Sequence, residues 1–305
     1  MRVGNPGGVK RCLVLLLALG GCDRAFGLVR TPEPPVCGPF DAPTALEFAP
    51  ALTGVHDFSI DPTGTRGMVY ANLGSPPTTA WPGPHAIKLS NGTWVQDPAR
   101  DRPVLNSLDG GHLVFDGNVI GWDDTSHSGG ATLREYTFSG TAWGQDAHLI
   151  EQVQTVSPHA GNIISNPEGT LRTLVELRVA EVAPFINDLY VYQRNPVQDW
   201  MLTGETDALR TAKPRINASG GVMTMDHAKL VYTANVGAET ANNELVYRIF
   251  ASQRTSGDSF EPGVELVIDG VDPNVGFSEP WINEDCTTLY YRSGDTTWMT
   301  TMVPP

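Results

Sequence analysis

Two markers recur along this chain at nearly constant spacing, and that repetition constrains the fold more than any other feature. The first is an acidic turn leading into a short β-rich run: Asp61-Pro-Thr-Gly-Thr-Arg-Gly-Met-Val-Tyr70, Asp109-Gly-Gly-His-Leu-Val-Phe115 and Glu168-Gly-Thr-Leu-Arg-Thr-Leu-Val175, then Asp226-His-Ala-Lys-Leu-Val-Tyr232 and Asp285-Cys-Thr-Thr-Leu-Tyr-Tyr291. The acids are 48, 59, 58 and 59 residues apart. The second is an aromatic residue opening a later strand, at Phe40, Trp94, Trp143, Trp200 and Phe260, with separations of 54, 49, 57 and 60. A period of this length holds about four short strands, which predicts the blades of a β-propeller. Third strands are expected at His85 to Leu89, Leu133 to Phe138, Leu189 to Gln193 and Glu244 to Ala251. Near-continuous apolar runs such as Leu245-Val-Tyr-Arg-Ile-Phe250 suit a sheet buried on both faces. Charged residues make up 18% of the chain, against 32 Gly and 24 Pro, which favours turn-rich β structure over long helices.

The phase of the two markers predicts how the ring closes. Each aromatic precedes an acidic turn, and Phe40-Asp-Ala-Pro-Thr-Ala-Leu46 resembles Phe260-Glu-Pro-Gly-Val-Glu-Leu266, which opens an outer strand. The N-terminal strand is therefore expected to complete the last blade, leaving no open inner edge. Five four-stranded units fit residues 40–305.

The turn motif, clearest in Ser59-Ile-Asp-Pro-Thr-Gly64 through Tyr70 and in Ser278-Glu-Pro-Trp-Ile-Asn-Glu-Asp285 through Ser293, resembles the PD40 repeats of TolB-like propellers. The resemblance implies an all-β propeller in a cell-envelope setting, and by itself no reaction. It is weaker in the third unit, which loses the terminal aromatic, and in the fourth, where Asp226-His227 lacks the glycine.

Ahead of the repeats, the chain reads as an export signal. Arg2, Lys10 and Arg11 precede the apolar run Leu13 to Leu19, which is too short to span a bilayer, and Gly20-Gly21-Cys22 follows. This resembles a bacterial lipobox, which implies that residues 1–21 are removed, that Cys22 carries lipid, and that the protein is held at the outer membrane or the periplasmic face of the inner membrane. Residues 22–39 form a spacer containing Pro32, Pro34, Pro35 and Pro39, a density that favours extended backbone. Cys12 lies in the discarded segment, so Cys37 and Cys286 are the remaining thiols, expected to pair across the ring closure.

Formal charge is -14, and the signal segment takes away three basic residues and no acidic one, a balance that argues against nucleic acid as a partner. The motifs Gly-x-Ser-x-Gly, Gly-x-x-x-x-Gly-Lys, His-Glu-x-x-His and Cys-x-x-Cys are all missing from the sequence. Asp123, Asp124 and His127 are read as a solvated loop in place of a metal site, and His85, His112, His159 and His227 as packing or solvated histidines. Trp94, Trp143 and Trp200 are read as blade packing. Asn91-Gly-Thr and Asn217-Ala-Ser match glycosylation sequons that have little meaning behind a bacterial lipid signal.

The expected function is a monomeric, non-enzymatic binding or adaptor module for an envelope protein or glycan, with no cofactor, metal or catalytic residue. The alternative is a glycoside hydrolase or lyase. That chemistry needs two carboxylates facing one another on inner strands. Asp57 in Val55-His-Asp-Phe58 and Glu279 in Phe277-Ser-Glu-Pro280 are the candidates; the corresponding segments 103–107 and 213–217 carry no acid.

Overall fold

The computed structural model describes residues 37–61, 63–73, 83–100, 114–115, 119–124, 132–149, 159–165, 172–179, 187–194, 201–211, 217–224, 226–239, 245–255, 259–272, 274–283 and 285–303. They form five four-stranded antiparallel sheets. Four are simple meanders. The first contains β2 (Leu52–Ile60), β3 (Arg66–Leu73), β4 (Gly83–Ser90) and β5 (Thr93–Gln96), and the second β6 (Val114–Phe115), β7 (Val119–Asp124), β8 (Thr132–Phe138) and β9 (Trp143–Leu149). The third contains β10 (His159–Ser165), β11 (Arg172–Val179), β12 (Asn187–Arg194) and β13 (Met201–Leu202). The fourth contains β14 (Asn217–Met223), β15 (Lys229–Glu239), β16 (Leu245–Gln253) and β17 (Val264–Glu265), preceded by the one-turn helix α1 (Asp207–Thr211).

The fifth sheet takes strands from both ends of the chain, in the order β18 (Ser278–Ile282), β19 (Thr288–Ser293), β20 (Thr296–Thr301) and β1 (Thr44–Ala45). β1 pairs antiparallel with β20, Thr44 opposite Met299 and Ala45 opposite Trp298. The expected closure by the N-terminal strand is therefore present. The first strands of the sheets touch in the sequence β2, β6, β10, β14, β18, and β18 touches β2 again. This is the arrangement of a β-propeller.

Among the described residues, Trp94 and Trp143 stand in the outermost strands β5 and β9, whereas Phe40 and Phe260 stand four residues ahead of β1 and β17; all are buried, at 1% exposure for Phe40, 3% for Trp94, 4% for Trp143 and 0% for Phe260. Trp200 lies outside the described residues. Phe58 of β2 shows how blades join: its ring packs 5.2 Å from that of Trp94 in its own sheet and 5.4 Å from that of Tyr290 in the fifth. Burial of one such side chain is worth about 2–3 kcal/mol.

The turns between first and second strands in the first, fourth and fifth sheets share one geometry, and the structure corrects the register read from the acids. Asp61, Thr224 and Asn283 each donate their backbone N–H to the carbonyl five residues on, at Arg66, Lys229 and Thr288. Their side chains return the bond: the N–H groups of Arg66, Lys229 and Thr288 donate to Asp61 Oδ1 (3.2 Å), Thr224 Oγ1 (3.1 Å) and Asn283 Oδ1 (2.8 Å). Asp61 is thus equivalent to Asn283, and the residue matching Asp226 and Asp285 is Thr63. Asp226 and Asp285 instead accept the N–H two residues ahead, from Ala228 and Thr287. The fourth residue of the turn is left-handed, with φ of 69° at Gly64, 57° at His227 and 60° at Cys286. The fourth unit's missing glycine is therefore no defect, since His227 adopts the conformation that glycine takes most readily. Asp109 and Glu168 lie outside the described residues. The fourth unit's first strand is also later than the segment 213–217 suggested, running over Asn217–Met223.

Cys37 and Cys286 are joined by a disulfide, Cα atoms 5.1 Å apart. Cys286 stands in the turn between β18 and β19, and Cys37 just ahead of Phe40, which bridges to Met302 beyond the end of β20. The bond ties the N-terminal strand to the blade it completes.

Candidate functional site

In a propeller, side chains near the start of the first strands ring the mouth of the central channel. Among the described residues, four non-glycine residues have left-handed backbone: Asn91, His227, Glu279 and Cys286. Three of them sit in tight turns that require it. Asn91 and Gly92, with φ of 52° and 84°, link β4 to β5 in the two-residue hairpin that needs left-handed residues. Glu279 alone lies inside a strand, with φ of 51°.

The cause is a bulge. Pairing between β18 and β19 slips between Ser278 and Trp281, so Glu279 and Pro280 bulge from the ladder. β2 slips likewise between His56 and Ser59, around Asp57 and Phe58. Asp57 and Glu279 each stand four residues before the equivalent turn residues Asp61 and Asn283. The two sequence-derived candidates therefore occupy equivalent bulges on neighbouring first strands, since β18 touches β2. β10 and β14 also slip, but by a single residue each, at Gly161 and Ser219. Bulges re-aim side chains and bend strands, and they collect near functional sites.

Glu279 is held by a residue the sequence reading did not single out. Arg292 Nη1 donates to Glu279 Oε1 at 3.3 Å, and Arg292 Nη2 stands 3.5 Å from Asp295 Oδ1. Arg292 is opposite Ser278 in the β18–β19 ladder, so register alone carries it to the bulge. The Arg292 guanidinium holds the Glu279 carboxyl in place at the bulge, where it can accept hydrogen bonds from ligand hydroxyls. The sheet's next connection is the tight turn at Gly294 and Asp295, whereas residues 74–82, 125–131, 180–186 and 240–244 separate the corresponding strands of the other sheets.

The remaining candidates divide. Asp123 and Asp124 end β7, while His127 lies outside the described residues, and no group of three or more metal-ligating side chains occurs among the described residues. His85 is buried in β4, opposite Val69. His159 opens β10; His112 and Cys22 lie outside the described residues.

His227 is buried in its turn beside Arg254, whose Nε donates to the His227 carbonyl at 2.8 Å. Burial first, then the Arg254 charge, push its imidazole down to about 4, against a smaller upward pull from Asp226. The unfolded chain therefore takes up this proton before the folded one does, and stability should fall as pH drops from about 6.5 to 4. The expected loss is on the order of 3 kcal/mol. Urea unfolding at pH 7 and pH 4 measures it, and His227→Asn, which tolerates the left-handed turn, should flatten the dependence. An equal acid loss in both proteins would rule His227 out as its source.

No protein-family model matches the sequence, and no characterised protein matches it by sequence. The fold has solved relatives. A mannose phosphorylase from Leishmania mexicana superposes with a TM-score of 0.50 at 8% identity, over 95% of this chain and 93% of its own. An α-L-arabinanase from Penicillium chrysogenum gives 0.49 at 13% identity, over 85% and 81%. A TolB-like protein from Agrobacterium tumefaciens gives 0.38 at 11%, over 84% and 70%. At 8% identity the first of these likenesses speaks for a shared fold and for nothing finer.

Proposed function

We propose that this chain is a five-bladed propeller, tethered to a cell-envelope membrane by lipid on Cys22, that engages carbohydrate at its channel mouth through Glu279 and Asp57. The observation carrying this reading is Glu279: a left-handed glutamate on a bulge within a first strand, matched on the neighbouring blade by Asp57. Backbone strain inside a regular element marks positions where geometry serves something other than stability. Paired carboxylates on adjacent strands are the minimum that glycosidic cleavage needs, one to protonate the leaving oxygen and one to attack or to activate water. Paired to Arg292, Glu279 takes the nucleophile or base role. One structural relative is a mannose phosphorylase, but the reading rests on the carboxylates.

A second reading is binding without turnover, favoured by the ion pair that already engages Glu279. The two separate cleanly. Mature protein is incubated with neutral and acidic oligosaccharides, following both binding and reducing-end release. Cleavage that falls about a thousandfold or more in Glu279→Gln, with unchanged folding, supports the hydrolase. Binding that weakens in Glu279→Gln without any cleavage supports the binding module. Cleavage unaltered in both Glu279→Gln and Asp57→Asn would place the chemistry elsewhere.

A further inference from the structure

We infer that the strap formed by residues 37–49 is an exchangeable closing strand, and that the rim it occupies is an interaction surface for the same strap of a second copy of this chain. The strap lies across three sheets. Just past β17 of the fourth, the Phe40 N–H donates to the Val267 carbonyl at 2.9 Å and the Asp269 N–H to the Phe40 carbonyl at 3.0 Å. In the fifth, Asp41 and Leu46 donate their N–H groups to the carbonyls of Thr301 and Thr297, and the Val303 N–H donates to the Pro39 carbonyl, each at 2.9 Å. In the first, the Trp94 N–H donates to the Glu47 carbonyl and the Ala49 N–H to the Trp94 carbonyl, both at 2.8 Å. These bonds are all main-chain, so any copy of the segment can make them. Thr44 and Ala45 of β1 are exposed. The apolar hold comes mainly from Phe40, buried among Leu266, Phe277 and Leu289, with Leu46 and Phe48 half-buried against the core of the first sheet.

The strap joins β2 through one exposed turn, Pro50 and Ala51, which the Leu52 N–H closes on the Ala49 carbonyl at 2.8 Å. Opening that turn carries residues 37–49 away as one extended piece and breaks no ladder within a sheet except β1–β20. Short hinges of this kind favour exchange between copies. In an exchanged pair each body recovers the same hydrogen bonds and the same Phe40 seat from the other's strap. The balance against self-closure is then set by concentration, measured against an effective value of millimolar order for a short connection. Cys37 and Cys286 fix whichever strap is docked. Cys37 travels with the strap, while Cys286 stays fully buried in the turn between β18 and β19. Bond formation joins the two sulfur atoms, and their two hydrogens pass to a disulfide oxidant such as glutathione disulfide, which leaves as two thiols. Within one chain the bond seals a monomer; between chains it seals a dimer.

The test uses full chains in which Cys12→Ser and Cys22→Ser leave Cys37 and Cys286 as the remaining thiols. One chain also carries Cys37→Ser and the other Cys286→Ser, so neither can close its own bond. They are refolded together from urea at about 10 µM to about 1 mM, a range that approaches the effective concentration of self-closure. Glutathione and glutathione disulfide set the redox state, and mass spectrometry maps the linked peptides. The inference expects the Cys37–Cys286 pair to rise with concentration and to exceed either like pair about tenfold, against the roughly twofold excess of chance pairing, because docking concentrates those two thiols. Phe40→Asp in the chain that keeps Cys37 should remove the excess, since a docked strap needs its anchor and chance pairing does not. Pairing at the chance ratio, an excess indifferent to Phe40→Asp, or monomers throughout would overturn the inference. The parent chain with both thiols gives a second reading should the single-thiol chains fold poorly. A dimer that survives denaturation, separates on reduction and maps to Cys37–Cys286 supports exchange, and its absence at the highest concentration overturns it.

Discussion

Replacing Cys37 and Cys286 together by serine is expected to lower the unfolding free energy by about 4 kcal/mol and to leave the folded spectra unchanged. The bond joins residues 249 positions apart, so in the unfolded chain it closes a loop over nearly the whole propeller. Loop-closure entropy grows only with the logarithm of length, but at this length it approaches the upper end of what one disulfide contributes. Cys286 is fully buried, so the variant also leaves two hydroxyls where the sulfur atoms were packed against the fifth sheet. The closing strand then depends on the short β1–β20 ladder and on Phe40. For a body of this size the midpoint should fall by roughly 8–15 °C. Thermal unfolding of the two proteins, with the wild type measured also after reduction, checks this. A midpoint shared within a degree or two would show that the ring closes without help from the bond.

The second large effect is expected at a buried ion pair between the third and fourth blades. Glu205 Oε2 accepts from Arg254 Nη2 at 2.8 Å, and its other oxygen accepts from Gln193 Nε2 of β12. The Arg254 guanidinium also lies over the Phe260 ring, 5.2 Å from its centroid. Glu205 is only 7% exposed, so Glu205→Ala leaves a guanidinium in a poorly hydrated place with one partner removed. Breaking such a pair from one side costs about 3–5 kcal/mol, most of it the penalty of the orphaned charge. Replacing both members, as Glu205→Leu with Arg254→Met, should therefore recover much of that loss. Urea unfolding of Glu205→Leu, of Arg254→Met and of the double variant forms a closed cycle with the wild type. Strictly additive small losses would mean the pair is solvated and contributes little.

Much of the architecture was legible from spacing. Strand-opening aromatics are large, apolar and needed once per blade, so Phe40, Trp94, Trp143 and Phe260 keep a period and all prove buried. The apolar runs at β4, β8, β12 and β16 were recognisable because a blade is covered on both faces. The turn acids misled by two residues at Asp61, and by a whole strand after Asp109, where Val114–Phe115 is the first strand of its sheet and not the second. A carboxylate, a hydroxyl and an amide oxygen can all accept the same backbone N–H, so the turn position tolerates Asp61, Thr224 and Asn283 alike, and a search for acids selects the wrong neighbour. His227 hid the fourth turn for a similar reason: what the backbone requires there is a left-handed conformation, and glycine is only its commonest supplier.

At the candidate site the division is sharper. Asp57 and Glu279 could be picked out because acids are unusual within first strands. Their equivalence could not, since it depends on bulges in β2 and β18, and a bulge adds a residue without leaving a pattern in composition. Arg292 carried no signal at all; it reaches Glu279 only because antiparallel pairing sets it opposite Ser278.

By itself, then, the sequence determined the all-β repeat, the phase that makes the N-terminal strand close the last sheet, and the two cysteines available to seal it. These follow from local chemistry that recurs once per unit and survives any uncertainty in register. Only the tertiary structure decided which turn residues are equivalent, which acids share a position on neighbouring blades and which arginine holds Glu279. Those relations join atoms distant along the chain, and they are set by strand register and bulges, where a shift of one residue sends every following side chain to the opposite face.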